Sequence, residues 1–304
     1  MFKKVLFGLT LTLAATLTTS VLAKEVTIPT VRGDVTFTQT PAKLAVFDAV
    51  AIDILSHLDV PIAGSPDVTK TLPYLKPAVE KAVNIGTFFE PNLEALNSLK
   101  PDLIIVATRS AAKLDDVKTI SNAIDLSIPT NLNTLQAGLQ EIEHLGKLFN
   151  KEEKATQLKT EIEALLQETK SAVKGKGNGL IVIVNGGKMS AFGNKGRLGW
   201  IHSALDIPMA IENVGQKGTS HGQPVSFELL QKVNPDWLFV LDRTAAIGEE
   251  GKTAREVLDN ALVHQTNAWK NNQVVYLSSS AYLAAGGVTQ MREDLTNIKK
   301  AFSK

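Results

Sequence analysis

Two stretches of this chain repeat one pattern of apolar and polar positions, register for register. In the first, Leu93, Leu96 and Leu99 recur at the spacing of one helical face, Pro101 breaks that period, and the apolar run Leu103-Ile104-Ile105-Val106-Ala107 follows. In the second, Phe227, Leu230 and Val233 keep the same spacing, Pro235 breaks it, and Trp237-Leu238-Phe239-Val240-Leu241 follows. Each copy predicts a helix, a turn and a buried strand, and beyond each strand stands an arginine, Arg109 or Arg243. A glutamate, Glu94 or Glu228, precedes the proline by 7 residues and the arginine by 15 in both copies. Upstream, "LDVPIA" at 58–63 and "LDIPMA" at 205–210 each follow a predicted helix, although the marker lies 36 residues before Glu94 and only 23 before Glu228. Two similar Rossmann-like α/β lobes are the simplest account of this order.

Between the copies the pattern changes. "KEEKATQLKTEIEALLQETKSAVK", 151–174, has no Gly or Pro and keeps apolar residues at Leu158, Ile162, Leu165 and Leu166. A helix of ~24 residues is roughly 36 Å long, enough to span two lobes. "GKGNG" at 175–179 ends it, and the strand "LIVIV" at 180–184 opens the second sheet. The expected organisation is a leader over 1–23, an N-terminal lobe over 24–150, one interlobe helix over 151–175 and a C-terminal lobe over 176–304, with the ligand cleft between the lobes.

The leader carries Lys3 and Lys4, an apolar run from Val5 to Ala15, and Val21-Leu22-Ala23 at its end, the small-x-small signature of a secretory cleavage site. We expect cleavage after Ala23 and a soluble product in the periplasm. No later stretch approaches the ~20 apolar residues of a membrane span. The absence of cysteine excludes disulfides, thiolate metal sites and a lipid anchor. Without the leader, 30 basic residues stand against 31 acidic ones, and no basic stripe suggests nucleic acid.

Few residues carry candidate chemistry. Arg109 and Arg243 end equivalent strands, so in a two-lobed molecule they should face one cleft, at the sheet edge where open α/β folds bind ligands. Arg197, in "SAFGNKGRLGW", follows a second-lobe strand and a Gly-bounded loop, which brings a third cation nearby. A strand-end arginine taken alone more often pairs with a neighbouring carboxylate, but the symmetric placement favours a shared pocket. His221 in "QKGTSHGQPVS" and Tyr282 in "SSSAYLAAGG" are both read as lying on loops at sheet ends. A lone loop histidine is more often a surface residue, and a tyrosine there could equally be core. His57, His144, His202 and His264 have no partner at metal-ligand spacing, which argues against a free-metal site. No nucleophile elbow, Walker loop or dinucleotide fingerprint is present, so an enzyme is not expected.

A pair of α/β lobes bridged by one long helix in an exported chain, with "NLEALNSLKPDLII", resembles the substrate-binding proteins of bacterial ABC importers for iron-siderophores, haem and vitamin B12. "SHGQPVSFELLQKVNPDWLFVLDR" and "YLAAGG" resemble most the periplasmic ferric-catecholate binders of enterobactin-like complexes. The resemblance implies a transported Fe(III)-siderophore and no permanent cofactor, with haem, vitamin B12 or free metal as alternative cargo. It implies a basic pocket of Arg109, Arg197 and Arg243, suited to a compact trianion. It carries His221 and Tyr282 across as iron ligands, useful where the siderophore offers only four oxygens. It also makes Glu94 and Glu228 docking contacts for an inner-membrane ABC permease dimer with its ATPase. Reading the residues alone, both glutamates could instead serve the first helical turn, where a carboxylate is favoured by about 0.3 to 1 kcal/mol. The protein is expected to act as a monomer.

Overall fold

In a computed structural model the chain forms two α/β lobes, described over residues 25–214 and 222–304. The expected leader and His221 lie outside the described residues. A short antiparallel hairpin, β1 (Val26–Ile28) and β2 (Val35–Phe37), precedes the first lobe. That lobe holds five parallel strands: β3 (Leu44–Val46), β4 (Gly64–Ser65), β5 (Val83–Asn84), β6 (Leu103–Val106) and β7 (Ala123–Asp125). Their spatial order is β5-β4-β3-β6-β7. The second lobe holds β8 (Gly179–Asn185), β9 (Lys188–Phe192), β10 (Gln223–Val225), β11 (Trp237–Asp242) and β12 (Val274–Tyr276) in the order β10-β9-β8-β11-β12.

The two orders match place for place, with the arginine-bearing strand β6 or β11 next to the central one. They differ in one direction. β3 reaches β4 through helix α1 (Ala49–His57) and the strands run parallel. β8 instead turns straight into an antiparallel β9 through Gly186-Gly187, whose φ values of 54° and 89° suit a two-residue hairpin. β10 is antiparallel to β9 and so runs with the other strands again. The upstream echo has a backbone cause: Ala63 N–H donates to Leu44 O at 2.9 Å, and Ala210 N–H donates to Gly179 O at 2.8 Å. Each marker therefore hydrogen-bonds the first residue of its central strand.

The longer repeat is the same device built twice. Helix α2 (Leu93–Leu99) is capped by Asn92, which accepts from Ala95 N–H. Past it come the long helices α3 (Thr134–Leu148) and α4 (Glu152–Val173), and then α5 (Phe227–Val233), capped by Ser226 accepting from Leu229 N–H. Both α2 and α5 end on a left-handed residue, Lys100 at φ 50° and Asn234 at φ 48°, before the proline. The aspartate after the proline ties the unit to its sheet: Asp102 accepts from Lys43 N–H at 2.8 Å, and Asp236 accepts from Asn178 N–H at 3.0 Å. Those donors stand immediately before β3 and β8.

Helix α4 lies within the 151–175 stretch read from the sequence. It packs against α3 on one side and on the other against the C-terminal helix. A one-turn helix α6 (Ala281–Ala284) precedes that C-terminal helix, α7 (Val288–Phe302). One apolar core runs through both lobes, from Ile52 and Leu145 past Leu158 and Ile162 to Phe239 and Met291. Two polar and steric contacts join the lobes directly. Asp53 of α1, 1% exposed, accepts from the backbone N–H and the hydroxyl of Thr289, each at 2.8 Å. Gly138 of α3 meets Gly286, and a Cβ at 138 would stand 2.1 Å from Gly286 O. Among the described residues no helix is long and apolar enough to cross a membrane.

Candidate functional site

The three arginines singled out from the repeat and the glycine loop come together on one side chain, Tyr282. Arg109 stands three residues past β6, after Thr108 at φ 34°; Arg243 follows β11 at the head of the short helix Arg243–Ala246; Arg197 lies in the loop beyond β9. Their guanidinium carbons are 5.7, 4.5 and 5.4 Å from the Tyr282 ring centroid, for Arg109, Arg197 and Arg243 respectively. Arg109 Nη2 donates to Tyr282 O at 2.7 Å, and Arg197 Nη1 donates to the same carbonyl. Arg243 Nε donates to the Tyr282 hydroxyl at 3.0 Å and Arg243 Nη1 to Asn185 Oδ1 at 2.9 Å. Tyr282 is on the helical turn α6 rather than on a loop, which corrects the sequence reading. Ser280 starts a new turn there in place of an extended loop.

None of the three arginines forms an ion pair among the described residues, so the carboxylate partner typical of a strand-end arginine is missing here. Burial pushes Arg197 down to about 10, the charges of Arg109 and Arg243 push the same way, and Tyr282 opposes them. Burial also lowers Arg109, against the opposing pull of the Asp48 carboxylate. Three half-buried guanidinium groups, held together by neutral acceptors on Tyr282, Leu283 and Asn185 and not by carboxylates, form a preorganised cluster of positive charge for anionic oxygens. Among the described residues no group of three His, Asp or Glu side chains could hold a bare metal ion.

Beside this cluster a cavity of about 410 Å³ opens between the lobes. Arg109 and Arg197 line it, with Asp48 at the head of α1 and Glu141 on α3. Arg243 and Tyr282 flank the cavity without lining it. Asp48 caps α1 by accepting from Ala51 N–H at 3.0 Å, and burial raises its carboxyl. Neither acid was found from the sequence. Glu141 looks there like one of several charges along an amphipathic helix, two residues from the half-buried Glu143, and it is the cavity shared with loop 126–130 that marks it out.

Glu94 and Glu228 sit at matching second positions of α2 and α5, both exposed. The side-chain caps of these helices are Asn92 and Ser226, and both glutamates keep the first-turn place in which a carboxylate is favoured. The Glu228 carboxyl is held below its ordinary value, first by a hydrogen bond from the Ser226 side chain.

Known proteins share this architecture. A model of the periplasmic binding protein family matches residues 44–281. The petrobactin-binding protein YclQ of Bacillus subtilis is 35% identical over 270 residues, covering 88% of this chain and 84% of the relative. The ferric-anguibactin-binding protein FatB of Vibrio anguillarum is 28% identical, covering 89% and 85%. Among solved structures, the catecholate-siderophore binding protein VctP from Vibrio cholerae superposes with a TM-score of 0.85 at 25% identity, covering 91% of this chain and 100% of that one. These relatives are named as binding proteins, not enzymes. With its two-lobed fold and its interlobe cavity, the chain belongs to the periplasmic binding protein family.

Proposed function

We propose that the protein captures a ferric siderophore of catecholate type outside the cytoplasmic membrane and delivers it to an inner-membrane ABC permease for iron uptake. One observation carries the reading: three guanidinium groups with no carboxylate ion pair among the described residues converge beside a cavity between the lobes. A ferric catecholate is a compact polyanion edged with oxygens, and it matches that donor set better than haem, vitamin B12 or a bare cation. The names of the relatives, which bind petrobactin, ferric anguibactin and a catecholate siderophore, support the same class. In this reading the iron chelate is cargo and not a resident cofactor. His221 and Tyr282 complete the iron coordination when the chelator leaves sites empty. Glu94 and Glu228, one per lobe and both exposed, dock the permease, whose ATPase drives transport. The leader is removed after Ala23, the mature chain works as a periplasmic monomer, and the lobes fall at 24–150 and 176–304 around the helix of 151–175.

The test is a fluorescence titration that follows Trp200, Trp237 and Trp269. Ferric bis-catecholate and tris-catecholate complexes should quench the emission saturably, whereas haem, cobalamin and bare Fe(III) or Zn(II) should not. Saturable quenching by haem or bare metal with none by the catecholates would overturn the assignment.

A further inference from the structure

The wall of the cavity contributed by α3 is built from Thr134, Ala137, Gly138 and Glu141, the spacing of one helical face. Three of these are small or already engaged: Thr134 donates its hydroxyl to Arg197 O at 2.9 Å, and Gly138 abuts Gly286. Glu141 differs from them. It is 9% exposed, it borders the cavity, and its Oε1 is buried with no hydrogen-bond partner. The other buried carboxylates nearby are satisfied, Asp48 by Ala51 N–H and Asp125 by Arg32, Ser127 N–H and the Ser127 hydroxyl. A buried carboxyl without a partner is costly, and such a group on a cavity wall points to a ligand that satisfies it.

Resting on the catecholate reading above, we infer that Glu141 contacts the ligand as a neutral carboxylic acid, donating a hydrogen bond to an oxygen of the bound ferric chelate. The alternative, a carboxylate accepting from a cationic arm of the ligand, fits the surroundings less well. Burial raises the Glu141 carboxyl well above its ordinary value, and the charge of Asp48 raises it further. An anionic chelate drawn in by Arg109 and Arg197 adds negative charge, which disfavours ionisation of Glu141 still more. The neutral acid is thus the form that both the empty and the filled cavity favour, and it is a donor where the ligand offers only acceptors. The site then reads an oxygen-rich anion from two sides, by guanidinium groups on one wall and by an acid O–H on another.

The test compares Glu141→Gln with Glu141→Met in the full mature chain, using a ferric bis-catecholate and tryptophan quenching. Gln keeps an N–H donor of the same shape, so its dissociation constant should stay within about threefold of wild type, whereas Met should lose roughly tenfold or more. Infrared difference spectra on ligand addition supply a readout independent of folding. The carbonyl stretch of a protonated carboxyl should shift in the wild type, and that signal should vanish in Glu141→Gln. Equal binding by wild type and Met, or no ligand-induced shift of such a band, overturns the inference while leaving the catecholate assignment standing. A Gln variant as weak as the Met variant would show a carboxylate facing a cation, which also overturns it. Failure of the wild type to bind any ferric catecholate would instead remove the functional reading on which it rests.

Discussion

Arg197 is the side chain on which binding and stability should separate most clearly. Replacement by Met keeps a long apolar stem over the Tyr282 ring but removes the cation 4.5 Å from its centroid. In the empty protein the loss is a cation–π contact, about 0.5 to 2 kcal/mol, and a charged hydrogen bond to Tyr282 O, about 1.5 to 3 kcal/mol. Against that stand the desolvation of the guanidinium and its repulsion by Arg109 and Arg243, which together push Arg197 down to about 10. A base lowered in this way destabilises the fold throughout the range where it stays charged, so at neutral pH the penalty is fully present and Met removes it. The two sides nearly cancel, and unfolding by urea should move by about 1 kcal/mol or less in either direction. Ligand binding has no such offset, because an anionic chelate turns the crowded cations from a liability into the main attraction. Affinity for a ferric catecholate should fall roughly tenfold to a hundredfold, with a shallower dependence on salt. A loss of several kcal/mol in stability with unchanged affinity would refute the reasoning and make Arg197 a structural pin for α6.

Tyr282→Phe removes the hydroxyl that accepts from Arg243 Nε at 3.0 Å, and with His221→Ala it should weaken a tetradentate bis-catecholate at least tenfold more than a hexadentate one, as read by titration and by the charge-transfer band; equal losses would rule out ligation. The double variant Glu94→Ala, Glu228→Ala should bind as wild type and melt nearly as wild type, losing only the first-turn contribution, but abolish uptake in cells that depend on the protein, because neither side chain caps its helix; normal uptake would exclude docking. Burial pushes Asp294 up to about 8, so it keeps its proton in the fold while the unfolded chain has lost it. That residue therefore lowers stability as pH rises from about 4 to 8, and Asp294→Asn should gain on wild type by at least about 1 kcal/mol across that window in denaturant titrations; a gain independent of pH would contradict the burial argument.

The arginine cluster was legible because repetition supplies geometry. Once two strands are equivalent, the residues at their ends must share an edge, and Arg109 and Arg243 do meet at one tyrosine. Asp102 and Asp236 follow the prolines in both copies, but nothing local shows their purpose, since Lys43 and Asn178 lie ~60 residues away in sequence and reach them only across a parallel pairing. The antiparallel β9 was also invisible, although Gly186-Gly187 is the signal that could have shown it. Glu141 was beyond reach for another reason. Its register, one turn from Ala137 and one from Leu145, puts it on the buried stripe of 134–148, but the cavity it borders is completed by residues 107–109 and 196–197, which periodicity does not bring to it.

The seam where Gly138 meets Gly286 and Asp53 holds Thr289 has a kinetic meaning. With a common core beneath it, the seam fixes the distance between the two walls of the cavity before any ligand arrives. For the proposed ligand this favours encounter near the rate set by diffusion and electrostatic steering, with little rearrangement of the lobes. For the proposed cargo the same contacts would lengthen residence, because parting the walls has to break them. In the function proposed above, unloading would then fall to the permease, engaging both lobes at once and bending them against glycine backbone packed too closely to slide.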